Sequence, residues 1–406
     1  MFRKILFWTH LIVGVTCGLI ILLMSVTGVL LTYEKQMLAW SDRSERSAAP
    51  SEGAQPMGVA DLIAAAEKER GALPNSVVIS HDPSELVQAS YGRGDTLLLN
   101  AYTGEEVEAG SEGMRQFFRE VTSWHRWLGV SGEGRAKARM ITGWVNLGFL
   151  FLVVSGMYLW LPRVFAWKNF RAVLLFRGGV SGKARDFNWH NVVGIWMAVP
   201  LFFVVLSGVV ISFPWASRLV YTAVGEEAPV RGKGGPRGFG KAGLQGFGKG
   251  GPKGFAKGRG REGLELPEVA GEPLTLDFSG MDAVLSKAKA TVPEWRSITL
   301  TVPTENDVPV PVNVQAGYAG QPQLRSSFEV CRLTGNVEEM RTWEDQSAGQ
   351  RARSWLRFVH TGEYYGLIGQ TIAGLASAAG ALLVYTGLAL AWRRFWAWLN
   401  RTRRVE

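Results

Sequence analysis

"NWHNVVGIWMAVPLFFVVLSGVVISF", residues 188–213, decides how the chain is read. From Val192 to Phe213 it is almost purely apolar, with a histidine at its mouth. Three other stretches share that character: Ile5–Leu31, Met140–Leu161 and Leu367–Trp392. A bilayer core of about 30 Å needs about 20 such residues in a helix. A soluble helix of this length would show a polar face. Four transmembrane helices are predicted. "MFRK" ahead of the first suggests a signal peptide, but the run is too long for a signal core. "LLTYEKQ" offers no small-residue cleavage site, so the segment reads as an uncleaved anchor.

Basic residues set the orientation. The tail "MFRK", the loop 162–188 and the tail 393–406 carry 13 Lys/Arg against two acids, Asp186 and Glu406. Short basic segments stay in the cytoplasm. Both termini are therefore expected there, with the long segments outside, in the periplasm of a bacterium. Cys17 lies in the first span and Cys331 outside, so neither a structural disulfide nor a CxxC metal site is expected.

The net charge of +9 is local. Residues 231–261 hold nine Lys/Arg and no acid, on three eight-residue units, "GPRGFGKA", "GLQGFGKG" and "GPKGFAKG". Without them the balance is 35 against 35, and no nucleic-acid partner is expected. So much glycine cannot bury a core, and an insertion over 231–262 is expected to be disordered, either simply solvated or lying on anionic headgroups or an acidic partner. Its GxGxxG, Gly238 to Gly243, follows no strand and is not a dinucleotide site.

The chain is written twice. "HLIVG" begins at His10 and "HNVVG" at His190. Eighteen residues beyond each histidine stands a glycine behind a small hydroxyl residue, Thr27-Gly28 and Ser207-Gly208. The second and fourth spans carry Ser155-Gly156 and Thr386-Gly387. Small residues of this kind let membrane helices approach closely. Outside the spans, "GVADLIAAAEKERG" (58–71) and "GMDAVLSKAKATVP" (280–293) read as amphipathic helices. Each leads into strand-like stretches, "NSVVISHDP", "LVQASYG", "TLLLNAYTGEEV" and "WRSITLTVP", "VPVNVQAGY", "SSFEVCRLTGNVEE", suggesting small antiparallel sheets. Then comes an aromatic histidine segment, "FFREVTSWHRWLG" and "SWLRFVHTGEYYG". Both halves enter the membrane in the same direction, a parallel repeat with its seam near residue 175.

The expected fold is a four-helix transmembrane bundle of two parallel repeats with two small periplasmic α+β domains. Its segments are a first span (5–32), an outside domain (33–122), a histidine segment with the second span (123–161) and a basic loop (162–188). A third span (189–213), a second outside domain (214–352), a histidine segment with the fourth span (353–392) and a basic tail (393–406) follow.

"HRWLG" at 125–129, "WHNVVG" at 189–194 and paired domains ending in "TGEEV" and "TGNVEE" resemble the PepSY-associated transmembrane family. More narrowly, the layout is similar to its bacterial inner-membrane ferrisiderophore reductases, which carry haem between the helices. The resemblance covers nearly the whole chain except 231–261. It implies an oxidoreductase that delivers electrons to a ferric siderophore in the periplasm and releases Fe²⁺ for iron transport.

The chain has five histidines: 10, 81, 125, 190 and 360. Four lie at or near membrane-helix ends, His10 and His190 toward the cytoplasm, His125 and His360 toward the outside. One histidine alone at such a place could reach headgroups beside a Trp, or relay protons. The set, two at each face at repeat-related sites, points to axial ligands for haem iron, held between facing helices. Two b haems are expected, one on His10/His190 and one on His125/His360. A zinc or non-haem iron site lacks its further ligands, with Glu363 the nearest carboxylate. Gly14, Gly194, Gly28 and Gly208 would leave room for a flat macrocycle or simply for close helix packing. Arg119, Arg126, Arg353 and Arg357 could pair with haem propionates, Arg126 best placed of them, or snorkel to lipid phosphates. His81, in "SHDPSE", reads as a solvated turn residue.

No flavin, nicotinamide or Walker fingerprint is present, "GGVSGKA" at 178–184 included. Electrons would come from a quinol or a separate cytoplasmic reductase. Two other readings stay open: a PepSY-type membrane-anchored regulator or peptidase inhibitor without redox chemistry, and a quinol-linked cytochrome with a different acceptor.

Overall fold

The computed structural model describes residues 1–42, 46–47, 49–92, 95–108, 110–229, 276–305 and 309–402. The glycine-rich insertion expected over 231–262 lies outside them.

Helix α1 (Phe2–Leu31) runs unbroken through the first apolar stretch, with no charge after its first turn. Helix α2 (Glu34–Ser41) turns away at its end. Helix α3 (Val59–Arg70) then leads to strands β1 (Ser76–Ser80), β2 (Val87–Gly92) and β3 (Asp95–Leu99). Helix α4 (Glu112–Trp127) carries His125, and α5 (Arg135–Trp160) is the second long apolar helix. Helix α6 (Trp167–Leu174) is short and basic. Helices α7 (Gly182–Trp196), α8 (Ala198–Ser212) and α9 (Pro214–Ala223) follow. The second half then repeats the order: α10 (Met281–Thr291), strands β4 (Ser297–Thr301), β5 (Val310–Gln315), β6 (Arg325–Val330) and β7 (Val337–Arg341), α11 (Ala348–Thr361) with His360, and α12 (Gly366–Thr402).

Among the described residues three helical segments are long and apolar enough to cross a membrane, Phe2–Leu31, Gly132–Trp160 and Glu363–Asn400. The third expected span is not one straight helix: α7 and α8 meet at Met197 with a bend of 71°. The cause stands in the sequence. Pro200 sits in the first turn of α8, where its missing N–H is tolerated, but it could not continue the α7 hydrogen-bond ladder. Helix α1 packs on α5 and α12, α8 on α5 and α12, and α7 on α12. Small residues permit the close approach: a methyl on Gly380 would lie 2.9 Å from the Ser25 hydroxyl, and one on Gly374 as close to Thr32.

Outside the bundle the structure corrects an expectation. The strands form one seven-stranded antiparallel sheet in the order β3-β2-β1-β4-β5-β6-β7, not two small sheets. The halves join where β1 runs against β4, from Ser76 opposite Thr301 to Ser80 opposite Ser297. Each strand would otherwise present an open edge, and pairing removes both edges at once. Helices α3 and α10 lie side by side on one face. There Leu62, Ile63, Met281 and Val284 pack on Val77, Leu97, Ile298, Leu300 and Val312, in one core fed by both halves. Asp282 of α10 accepts a hydrogen bond from the Val59 backbone N–H at 2.6 Å, capping α3 from the other repeat. Gly104 and Gly335 close equivalent turns after Thr103 and Thr334 with φ of +70° and +69°, a conformation that favours glycine.

The sheet meets the bundle at one end. Lys35 of α2 donates to the Ala319 carbonyl (3.2 Å) and pairs with Glu363 (2.5 Å), and Gln323 donates to the Tyr364 carbonyl (2.9 Å). The start of α1 and the end of α12 lie at the opposite end, where Arg3 donates to the Leu159 and Leu161 carbonyls and Arg394 stacks over Trp8.

Candidate functional site

The four helix-end histidines each find the same partner. His10 Nδ1 lies 2.8 Å from Ser155 Oγ, and His125 Nδ1 lies 2.9 Å from Thr27 Oγ1. In the second half His190 Nδ1 lies 2.9 Å from Thr386 Oγ1, and His360 Nδ1 lies 3.2 Å from Ser207 Oγ. These hydroxyls belong to the four small-residue–glycine pairs in the spans. Their place in the sequence accounts for close helix packing. They also hold the histidines, each on a neighbouring helix of the same repeat.

The bonding fixes the ring chemistry. A hydroxyl has one hydrogen to give. Ser155 gives its own to Phe151 O (2.6 Å), Thr27 to Leu23 O (2.7 Å), Thr386 to Leu382 O (2.8 Å) and Ser207 to Val204 O (2.7 Å). Each oxygen is then left to accept from the ring, which places the proton on Nδ1. His360 Nδ1 also sits 2.9 Å from the Val204 carbonyl, which can only accept. Every Nε2 therefore keeps its lone pair. Ligating histidines in metal sites show this arrangement, one nitrogen on the metal and the other N–H anchored to the protein.

The glycine of each pair lies beside the ring, where a methyl would touch it in ordinary contact at three sites and crowd it at Gly208. A methyl on Gly28 would lie 3.6 Å from His125 Cε1, and on Gly156 3.5 Å from His10 Cε1. On Gly208 it would lie 3.3 Å from His360 Cε1, and on Gly387 3.4 Å from His190 Cε1. The hydroxyl residue and its glycine thus form one cradle, used four times.

The cradles stand at two levels. Ser155 and Thr386 place His10 and His190 toward the termini, while Thr27 and Ser207 place His125 and His360 toward the sheet. From His10 to Thr27 along α1 is 17 residues, about 26 Å of helix. At the sheet end the His125 and His360 ring centres are 6.3 Å apart. A metal–imidazole bond of about 2 Å, with the ring centre about 1.1 Å behind the nitrogen, would let two imidazoles on one ion stand about 6 Å apart. The His125/His360 spacing fits two ligands of one metal ion.

The expected arginines separate. Arg119 pairs with Glu112 on its own helix and is exposed. Arg353 donates to the Ser217 hydroxyl (2.7 Å). Arg126 stacks on Trp127 next to the histidine it follows, and Arg135 stacks on the same ring. Arg357, one turn before His360, lies over the Phe358 ring, and its buried Nε has no hydrogen-bond partner among the described residues. Burial, then the like charges of Arg126 and Arg353, push its guanidinium below the ordinary arginine range. It stays a cation. Glu363 is taken up by Lys35. His81 is a turn residue against Trp295, ring centres 4.7 Å apart.

A family model of the PepSY-associated TM region matches residues 7–394. The chain belongs to the PepSY-associated transmembrane family. The match takes in all four cradles and the whole sheet. A comparison with curated proteins found no match.

Two further residues of this family member support the histidine sites. Asp186, 1 % exposed, lies one turn before His190 and pairs with Arg185 (3.0 Å) and Arg393 (2.9 Å), tying α7 to α12. In sequence it stands out only as an acid in a basic loop. Asn146, 7 % exposed in α5, donates to the Val205 carbonyl (2.9 Å) beside Gly208. A buried amide in a membrane helix is costly unless bonded, and that was the available signal.

Proposed function

We propose that this protein is an inner-membrane oxidoreductase that carries electrons across the bilayer to a periplasmic ferric siderophore and releases Fe²⁺. His10 and His190 would hold one haem, His125 and His360 the other. Bound there, the two groups supply one-electron chemistry at two depths. The fourfold cradle is the observation that carries this reading. A regulator without redox chemistry has no use for four histidines fixed as Nδ1–H tautomers with Nε2 left bare.

The chain's own residues then have defined work. Ser155, Thr27, Thr386 and Ser207 orient the imidazoles and hold the proton on Nδ1. Gly156, Gly28, Gly387 and Gly208 lie beside the rings. Arg357 and Arg126 offer charge to carboxylates at the sheet end. The basic loop and tail would face the cytoplasm, where a quinol or a cytoplasmic reductase is the donor, and the sheet would face the periplasm. Each Fe³⁺ takes one electron. Its hard oxygen ligands hold Fe²⁺ less firmly, so reduction is also release.

Stopped-flow mixing of the reduced protein with ferric siderophores tests the function. Oxidation that accelerates with siderophore concentration is expected. A rate indifferent to every ferric siderophore, alongside rapid oxidation by other acceptors, would leave a cytochrome with a different partner.

A further inference from the structure

The face of the sheet away from α3 and α10 is mixed, with Val78 and Leu86 beside polar side chains. Strand alternation sends Ile298, Leu300, Val312 and Val314 into the core. It sends Thr299 and Asn313 to the other side, with Ser80 and Gln88 of the first half. These side chains line a cavity of about 280 Å³ that straddles the β1–β4 seam. That is close to the lower end of small-molecule sites, about 300–1,000 Å³. Neither repeat makes it alone.

Two cations border this cavity. Arg296 is stacked over the Tyr318 ring at 4.1 Å. Among the described residues Arg325 reaches only the Gln315 side-chain oxygen, at 3.4 Å. Among the described residues no carboxylate pairs with either. Burial pushes the Arg325 guanidinium below its ordinary range, so it is a cation in a partly desolvated place without a counter-charge. The one acid in the lining, Glu85, accepts from Ser80. The rest of the polar lining is hydroxyl and amide, able to donate and to accept. This chemistry suits a small anion rich in oxygen.

Position adds the second argument. One wall is the turn Gly317–Ala319, and its Ala319 carbonyl takes the Lys35 ammonium, which also holds Glu363. Glu363 follows His360 by three residues. The cavity wall is thus anchored to the segment that carries the sheet-end histidine.

We infer that the open face of the sheet, between Arg296, Arg325 and Asn313, seats a small anionic chelate whose iron is bound through carboxylate oxygens, held beside the His125/His360 end of the bundle. This rests on the proposed reading for the role of the chelate, and on the cavity alone for its binding. The two arginines take its outward carboxylates, and Thr299 and Asn313 fix its depth.

Gallium(III) citrate, which binds like a ferric citrate but accepts no electron, separates seat from chemistry. Equilibrium dialysis against the full-length protein in lipid nanodiscs should show saturable binding. Arg325→Gln should weaken it by about tenfold or more, the range expected when a charged hydrogen bond is lost. Asn313→Asp, which adds a like charge on an accessible strand position, should weaken it as well. Circular dichroism and the haem spectrum should be unchanged in both. No saturable binding to the wild type, or equal affinity in both folded variants, overturns the inference. A protein that lacks haem yet binds the gallium chelate through Arg325 keeps the seat and loses the reductase. A haem protein that ignores the chelate keeps the reductase and loses the seat.

Discussion

Thr386→Val probes the cradle at one atom. Valine matches threonine in shape, and Thr386 is fully buried, so the change opens no cavity. What disappears is the acceptor 2.9 Å from His190 Nδ1. Without haem the ring can rotate or move its proton to Nε2 and lose little. With Nε2 on the iron it cannot, and the buried Nδ1–H is left with the Leu383 backbone carbonyl as its acceptor. Losing one of two acceptors costs about 0.5–1.5 kcal/mol. At about 1.4 kcal/mol per factor of ten, haem affinity at the His10/His190 site should fall about 2- to 12-fold. The upper end meets the 10- to 100-fold typical of lost second partners in metal sites. Thr386→Ser keeps the hydroxyl and removes one methyl, so its effect should appear in stability, about 1 kcal/mol, and not in haem affinity. Titration of the haem-depleted protein with haemin, followed by absorbance, reads both variants. Valine that binds as the wild type does, or serine that loses as much as valine, would refute the tautomer argument.

Other consequences are testable together. His125→Ala and His360→Ala should each empty the same haem site and leave the His10/His190 site filled, as seen by electron paramagnetic resonance of the oxidised protein. Asp282→Ala removes the cap on α3 and should lower the stability of the sheet by about 1 kcal/mol in thermal melts, with haem content unchanged. Glu34, at the start of α2, has its carboxyl pushed up to about 7 by burial, with Glu363 adding to the rise and Lys35 opposing it. A raised carboxyl in the folded protein means that folding takes up a proton between the ordinary value of 4.5 and about 7. Its contribution is full below that window and is lost as pH rises through it. Glu34→Gln should flatten the fall in melting temperature between about pH 5 and about pH 8, and an unchanged slope would show that another group titrates.

Much of this was legible in the chain. Uninterrupted apolar runs gave the long helices, since nothing but a bilayer or a large core tolerates them. The paired H-x-x-x-G motifs and Ser/Thr-Gly pairs revealed the repeat. Three features were not legible, for different reasons. The 71° break between α7 and α8 had a local signal in Pro200, outweighed by the apolar run around it. The single sheet had none: β1 and β4 are separated by more than 200 residues, and edge pairing leaves no mark on either strand. The hydroxyl partners lay between these cases. His10 and Ser155 are 145 residues apart, so spacing along one helix could not join them. The repeat named all eight residues of the cradles, and only the packing of neighbouring helices showed which histidine each hydroxyl holds.

Haem content of the purified protein, measured per chain as the pyridine haemochrome, tests the central claim most directly. Two haems per chain are predicted, falling to one in each single variant, His10→Ala, His125→Ala, His190→Ala and His360→Ala. No haem in a folded wild-type protein, or four variants that keep both haems, would contradict the assignment of these histidines.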